Sequence, residues 1–280
     1  MDIAGYFRII RPVNSFVAGF AVLLGYVIAS GTITRESLVL IPVVLLITAA
    51  GNVINDYYDR GIDKINKPER PIPAGAVSPE GALAYSILLF LSSIGISYFA
   101  NTLCFAIAVF NSLLLVLYAY RLKNMPLVGN IAVSYLAASI FLFGGALVGV
   151  EGLFQTLVVA GITFLAMLAR ELLKDAEDVV GDTKGGAKTL PILIGVRKTA
   201  VMAFVLAISA TILSYMPLVR WWGIPYIVAI SIADLIILSG AARGLGCTSP
   251  DCVILSGATK IIKAGMFVAL FVFISFAILL

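Results

Sequence analysis

The chain has 280 residues, 61% of them hydrophobic and 12% charged, with a formal net charge of +4 and a mean hydropathy of +1.08. Soluble domains are roughly 45–50% apolar, so this chain cannot hide its excess in a water-surrounded core. Histidine is absent, which removes Ser-His-Asp hydrolysis, HExxH zinc chemistry and histidine-ligated haem.

In chain order, apolar runs long enough to cross ~30 Å of hydrocarbon are predicted at about 13–31, 38–57, 81–100, 103–120, 130–150, 153–174, 199–218, 224–243 and 258–279. The runs are continuous instead of alternating, which argues for helices over a β-barrel. The first follows Arg8 and Arg11 and exceeds the roughly 7–15-residue apolar core of a signal peptide, so it reads as a span. Breaks are marked by Gly31-Thr32, Pro79, Asn101-Thr102, Pro126, Glu151-Gly152, Pro191 and the loop from Gly244 to Pro250, residues that punctuate helices. The expected fold is an all-α integral membrane protein: nine transmembrane helices in a single bundle, one domain over 1–280, with a polar cap on the cytoplasmic side.

Nine spans place the N-terminus and every second loop on one side. That side collects seventeen of the nineteen Lys and Arg residues, leaving only Arg35 and Arg220 opposite. By the positive-inside rule the rich side is cytoplasmic and the C-terminus lies outside. Trp221 and Trp222 beside Arg220 read as an interfacial anchor on the outer face. Of three cysteines, Cys104 falls inside an apolar run. Cys247 and Cys252 share a short loop, where low cysteine usage favours thiols over a disulfide. Asp234, near the middle of the eighth span, either faces a pocket or is protonated and bonded to a neighbouring helix, with Lys263 the nearest cation.

The chemistry concentrates in two runs. Asp56-Tyr57-Tyr58-Asp59-Arg60-Gly61-Ile62-Asp63 and Asp175-Ala176-Glu177-Asp178-Val179-Val180-Gly181-Asp182 are both D-x2-D-x3-D, each at the end of an apolar stretch on the cation-rich side. Acids at i, i+3 and i+7 share one stripe of a helix. Six of the fifteen acidic residues lie in these triplets, although positive-inside bias accounts for cations and says nothing about clustered acids. Two such stripes would receive divalent cations and, through them, a polyphosphate. Mg2+ is the ion that commonly binds through one or two carboxylates plus substrate phosphates. Asn55 adds a neutral oxygen beside the first triplet. Pro68, Pro71 and Pro73 lack N–H donors, and are expected to hold an extended loop presenting Lys67 and Arg70. Arg70, Lys123, Lys174, Lys184 and Lys188 would neutralise phosphate oxygens. Tyr118 and Tyr120, with Tyr57 and Tyr58, read either as an aromatic belt or as the wall of a cation-stabilising pocket. Corresponding acids share an offset of 119 residues, which points to repeated four-helix units at about 13–120 and 130–243.

These residues resemble the UbiA family of intramembrane prenyltransferases, which carry N-D-x2-D-x3-D and D-x2-D-x3-D in a nine-helix bundle. The resemblance covers 52–75 and 170–191 closely, including Lys67-Pro68-x-Arg70-Pro71 and Ala187-Lys188-Thr189-Leu190-Pro191. It implies transfer of an isoprenoid from its diphosphate to an acceptor. Asn55, Asp56, Asp59, Asp63, Asp175, Asp178 and Asp182 would then hold Mg2+, two ions bridging to the diphosphate. Asp59, Asp63, Asp178, Asp182 and Lys123 would be catalytic. Substrate would be bound by Asn55, Lys67, Arg70, Tyr118, Tyr120, Lys123, Lys174, Lys184 and Lys188. The family often shows Tyr-x3-Lys after the fourth span. Here Tyr118 and Tyr120 stand five and three residues before Lys123, so both tyrosines stay candidates.

Within the family, Arg170-Glu171-Leu172-Leu173-Lys174-Asp175 and Arg70-Pro71-Ile72-Pro73-Ala74-Gly75 look most similar to the archaeal ether-lipid branch. That branch attaches a second geranylgeranyl chain to geranylgeranylglyceryl phosphate. The implied partners are a prenyl diphosphate, a lipid-phosphate acceptor and the bilayer, with no nucleic acid and no obligate protein partner. An aromatic quinone precursor is the alternative acceptor. A cation transporter is the distant alternative, since it would want acids near the midplane and only Asp234 lies there.

Overall fold

A computed structural model describes residues 2–216 and 219–279; of residues 219–221 and 278–279 it describes the backbone alone. The helices are α1 (Ile3–Ile9), α2 (Pro12–Ser30), α3 (Leu40–Asn66), α4 (Pro79–Tyr98), α5 (Thr102–Tyr120), α6 (Val128–Val148), α7 (Val150–Lys184), α8 (Leu190–Ile194), α9 (Val196–Ser214), α10 (Val219–Leu245), α11 (Pro250–Ser256) and α12 (Ala258–Leu279). Among the described residues nine are long and apolar enough to cross a membrane: α2, α3, α4, α5, α6, α7, α9, α10 from Trp222, and α12. Large apolar side chains on them stay exposed, among them Leu88, Leu91, Phe154, Leu235 and Phe271. Such a surface suits lipid and not water. The short α1 was not anticipated.

Helix ends follow local chemistry. Ser78 caps α4 by accepting from Gly81 N at 3.0 Å, with Pro79 in the first turn, where a missing N–H costs nothing. Asn101 does more than end a run. Its side chain accepts from Cys104 N at 2.8 Å and donates to the Ala146 and Leu147 carbonyls at 2.8 and 3.2 Å, so one amide caps α5 and satisfies the end of α6. The expected break at Glu151-Gly152 moves to Gly149, where φ is +116°. Gly152 instead lies inside α7, and a Cβ there would come 2.3 Å from the Gly145 carbonyl. Its smallness lets α6 and α7 touch.

Two compact units divide the chain: Met1–Leu122 with Ile140–Thr156, and Lys123–Ser139 with Leu157–Leu280. In the first, Ile9, Ala50, Val53, Ile54, Ile72, Ala82 and Phe90 form one core, and Val22, Leu40, Val43, Cys104, Ala108 and Phe143 another. In the second, Leu172, Leu173, Ala200, Ala203, Ala241, Val253 and Ile262 pack together. There α10 and α12 approach through Gly240 and Gly265, small residues of the kind that draw membrane helices close.

Three expectations are corrected in detail and one, for Asp234, is narrowed to one of its two alternatives. Trp222 is buried and packs against the rings of Tyr226, Phe273 and Phe276, with centroids 5.1–6.4 Å apart, so it is a core residue and not an anchor. The side chains of Arg220 and Trp221 lie outside the described residues. Cys247 and Cys252 are disulfide-bonded. The turn into α11 brings their Cα atoms to 5.4 Å, within bridging reach. Asp234 accepts from Ser214 Oγ at 2.7 Å, tying α10 to α9. Lys263 sits instead over the Phe267 ring at 5.8 Å.

Candidate functional site

Both acid triplets lie on helices that run past their apolar stretches. Helix α3 continues to Asn66, and Lys67, just before Pro68, closes it by donating its N–H to the Asp63 carbonyl at 2.8 Å. A residue preceding proline is disfavoured in the α region, so the helix ends there. Helix α7 continues to Lys184, and the turn passes through Gly186 at φ +73°, the left-handed conformation that ends helices. Asp56, Asp59 and Asp63 therefore share one face, and Asp175, Asp178 and Asp182 another.

In the first unit the structure brings Asn55, Asp56, Asp59, Asp63 and Arg70 together. Asn55 Nδ2 donates to Asp59 Oδ2 at 2.9 Å. Arg70 Nη1 bridges two acids, donating to Asp56 Oδ1 at 3.1 Å and Asp63 Oδ2 at 2.6 Å. Arg11 Nη2 donates to the same Asp56 oxygen at 2.6 Å. The Asp56 side chain is only 4% exposed. A carboxylate so deep needs compensating cations, and two guanidiniums supply them. The segment around Arg70 is not extended as the prolines suggested. It coils through turns, Arg70 N donating to the Lys67 carbonyl and Ala74 N to the Arg70 carbonyl at 3.0 and 2.9 Å. A proline φ near −65° serves a turn as well as an extended strand, and burial of Pro71 and Ile72 decides. Tyr120 is exposed, its ring 5.5 Å from that of Tyr58. Tyr118 is half-buried, and Lys67 is exposed with no ion pair among the described residues.

In the second unit Asp175 accepts from Asn130 Nδ2 at 2.9 Å. Among the described residues no Lys or Arg lies within 4 Å of Asp175, Asp178 or Asp182. Asp178 is exposed and Asp182 half-buried. Lys174 reaches Glu171 at 3.9 Å, and Glu171 also pairs with Arg170. Lys188 is tied by its backbone, its N–H donating to the Asn124 carbonyl at 3.2 Å. That bond places it beside the short 3-10 turn Leu122–Asn124 that carries Lys123. Lys184 and Lys188 are exposed and unpaired among the described residues.

The donors on these faces are carboxylate and amide oxygens, the set a hard divalent cation prefers. Among the described residues no three acids or thiols form a ready-made cage. A cation here would complete its shell with oxygens from water or a bound anion, as Mg2+ usually does.

The model of the UbiA prenyltransferase family matches residues 18–251. The chain belongs to that family. It is accordingly a multi-pass membrane protein. It is 56% identical to a digeranylgeranylglyceryl phosphate synthase of Methanoculleus marisnigri, covering 98% of both chains. It is 54% identical to one of Methanoregula boonei, covering 100% of both. Its structure resembles one solved under the description "Structural and mechanistic insights into the biosynthesis of Digeranylgeranylglyceryl phosphate synthase in membranes", with TM-score 0.85, 35% identity and coverage of 100% and 99%. A UbiA homolog from Archaeoglobus fulgidus, solved bound to GPP and Mg2+, shares the fold at TM-score 0.63 and 19% identity, covering 95% of this chain and 99% of that one.

Two residues of this UbiA chain were missed by sequence reasoning: Arg11 and Asn130. Arg11 is one of only two non-glycine residues at positive φ among those described, at +48°. Its left-handed turn, at the start of α2, aims the side chain back toward Asp56. The signal available was Arg11-Pro12, a cation fixed just before a helix. Asn130 carried no comparable mark.

Proposed function

We propose that this enzyme transfers a geranylgeranyl group from geranylgeranyl diphosphate to geranylgeranylglyceryl phosphate, forming the second ether bond of an archaeal membrane lipid. The observation that carries the reading is full-length identity, up to 56%, to synthases of that name. The two oxygen-only acid triplets support it. In the reaction the allylic C–O bond breaks, the electron pair leaves with the diphosphate, and the glycerol hydroxyl of the acceptor bonds the allylic carbon. The hydroxyl proton then passes to solvent or to a nearby base.

Asp59 and Asp63, with Asn55, and Asp178 and Asp182 would hold Mg2+, two ions being the natural number for two faces. Bound there, Mg2+ supplies positive charge that stabilises the departing diphosphate. Asp56 and Asp175, already hydrogen-bonded within the protein, would support those faces. Arg70 and Lys123 would take diphosphate oxygens that the metal leaves free, stabilising charge as it develops. Lys67, Lys174, Lys184 and Lys188, exposed side chains, suit the phosphate of an anionic acceptor. The faces of Tyr118 and Tyr120 would favour the allylic cation, and the apolar helices would keep water from it. The excess of Lys and Arg on one set of loops supports placing these groups, and the N-terminus, at the cytoplasmic leaflet.

The test incubates purified chain and Mg2+ with geranylgeranyl diphosphate and a panel of lipid-phosphate and aromatic acceptors, reading products by mass spectrometry. An ether lipid is expected, abolished by EDTA and restored by Mg2+. Asp59→Ala or Asp178→Ala is expected to lower turnover by about 100-fold or more. Undiminished turnover in either variant refutes the metal assignment. Prenylation of aromatic acids alone refutes the acceptor.

A further inference from the structure

The offset of 119 residues that relates the acid triplets also carries Arg11 onto Asn130. These are the residues that grip the first acid of each triplet. Arg11 reaches Asp56, and Asn130 reaches Asp175, each across 45 residues of chain. The same offset carries Arg70 onto Thr189, a buried side chain. It also fits the elements. Displaced by 119 residues, α2 covers 131–149, against Val128–Val148 for α6, and the end of α3 falls at 185, one residue past Lys184. Gly25 falls on Gly144 and Val22 on Phe141, and these four meet reciprocally. A Cβ on Gly25 would lie 2.3 Å from the Phe141 carbonyl oxygen, and one on Gly144 2.4 Å from that of Val22. Residue-for-residue reciprocity is what two copies of one element produce when they pair isologously.

From this correspondence we infer that Arg11 and Asn130 are equivalent positioning residues. Each clamps the first acid of its triplet as an anchor that orients the second and third acids toward the metal-bound diphosphate, Arg70 on Asp63 being the cation that the metal would replace; this rests on the reading of the site given above. The physical reason lies in the helix. Acids at i, i+3 and i+7 span only about 60° of its circumference. Fixing the first therefore fixes the rotation that presents the other two. The clamps differ in charge: guanidiniums of Arg11 and Arg70 sit beside Asp56, which is 3% exposed, and a neutral amide sits beside Asp175.

The experiment titrates Mn2+ with inorganic diphosphate into the purified full chain in detergent, counting free Mn2+ by electron paramagnetic resonance. Asp175→Asn keeps an oxygen for Asn130 to donate to. The exchange of Asn130→Asp with Asp175→Asn keeps the bond with its roles reversed. For an anchor, both hold Mn2+ within about threefold of the natural chain, whereas Asp178→Asn loses more than about tenfold. Asn130→Asp alone sets two carboxylates against each other and lowers the unfolding temperature, and adding Asp175→Asn restores it. Asn130→Asp alone is also expected to weaken Mn2+ binding by more than about tenfold at temperatures where the chain stays folded, whereas a merely structural role would leave that binding unchanged. A loss of more than about tenfold in Asp175→Asn with unfolding temperature unchanged makes Asp175 a ligand and overturns the clamp. Should the exchange fail to fold, Asp175→Asn alone decides. Should Asp178→Asn bind as the natural chain does, the metal reading falls first and the clamp with it.

Discussion

Arg70 is the residue on which the first acid face turns, and its removal gives the most informative perturbation. Its side chain is 19% exposed and bridges Asp56 and Asp63, which are 4% and 6% exposed. Breaking a buried pair by deleting one partner costs about 3–5 kcal/mol, mostly for the charge left behind. Arg70→Ala strands Asp63 but leaves Asp56 with Arg11, so a loss of about 2–4 kcal/mol is expected. Arg11 is 35% exposed, and solvent screens its bond, so Arg11→Ala should cost only about 1 kcal/mol. Each guanidinium covers for the other at Asp56. The double variant should therefore exceed the sum of the singles by about 1–2 kcal/mol. The assay is thermal unfolding in detergent with a thiol-reactive dye, since Cys104 is the one free thiol and is fully buried. At about 2–4 °C per kcal/mol for a chain of this order, Arg70→Ala should lower the midpoint by about 4–16 °C. A shift under about 1 °C for Arg70→Ala, or strict additivity in the double variant, would refute the shared-anchor argument.

Other perturbations follow from the packing. Gly144→Leu places atoms where a Cβ would already lie 2.4 Å from a carbonyl. It should cost about 3 kcal/mol or more, read as lost monodisperse protein in size-exclusion chromatography; normal yield and unfolding temperature would contradict the close α2–α6 approach. Maleimide labelling of the denatured chain should modify one cysteine before reduction and three after, because Cys247 and Cys252 are bonded; three before reduction would disprove the bridge. Asp234→Ala removes the acceptor of the Ser214 hydroxyl and should cost about 1–3 kcal/mol of stability with the KM for prenyl diphosphate unchanged. A raised KM would place Asp234 at the substrate.

Much of the molecule could be read before folding. Nine spans follow from hydropathy because a membrane helix satisfies its own backbone, making each run its own evidence. The acid triplets were legible because charge is rare here and helical spacing is local. Legibility failed where contact between helices decided the outcome. Gly152 reads as a break until Gly145 is found against it. Trp222 reads as an anchor until three rings surround it. Asp234 offered two fates until Ser214 was found within 2.7 Å.

By itself, then, the sequence determined the helices, their solvent and the oxygen chemistry at two helix ends, because composition and 3.6-residue periodicity act over a few turns. Only the tertiary structure decided which acids are already committed. Arg11 lies 45 residues from Asp56, and Asn130 as far from Asp175. No local rule couples positions that far apart; packing of one helix start against another helix's side does.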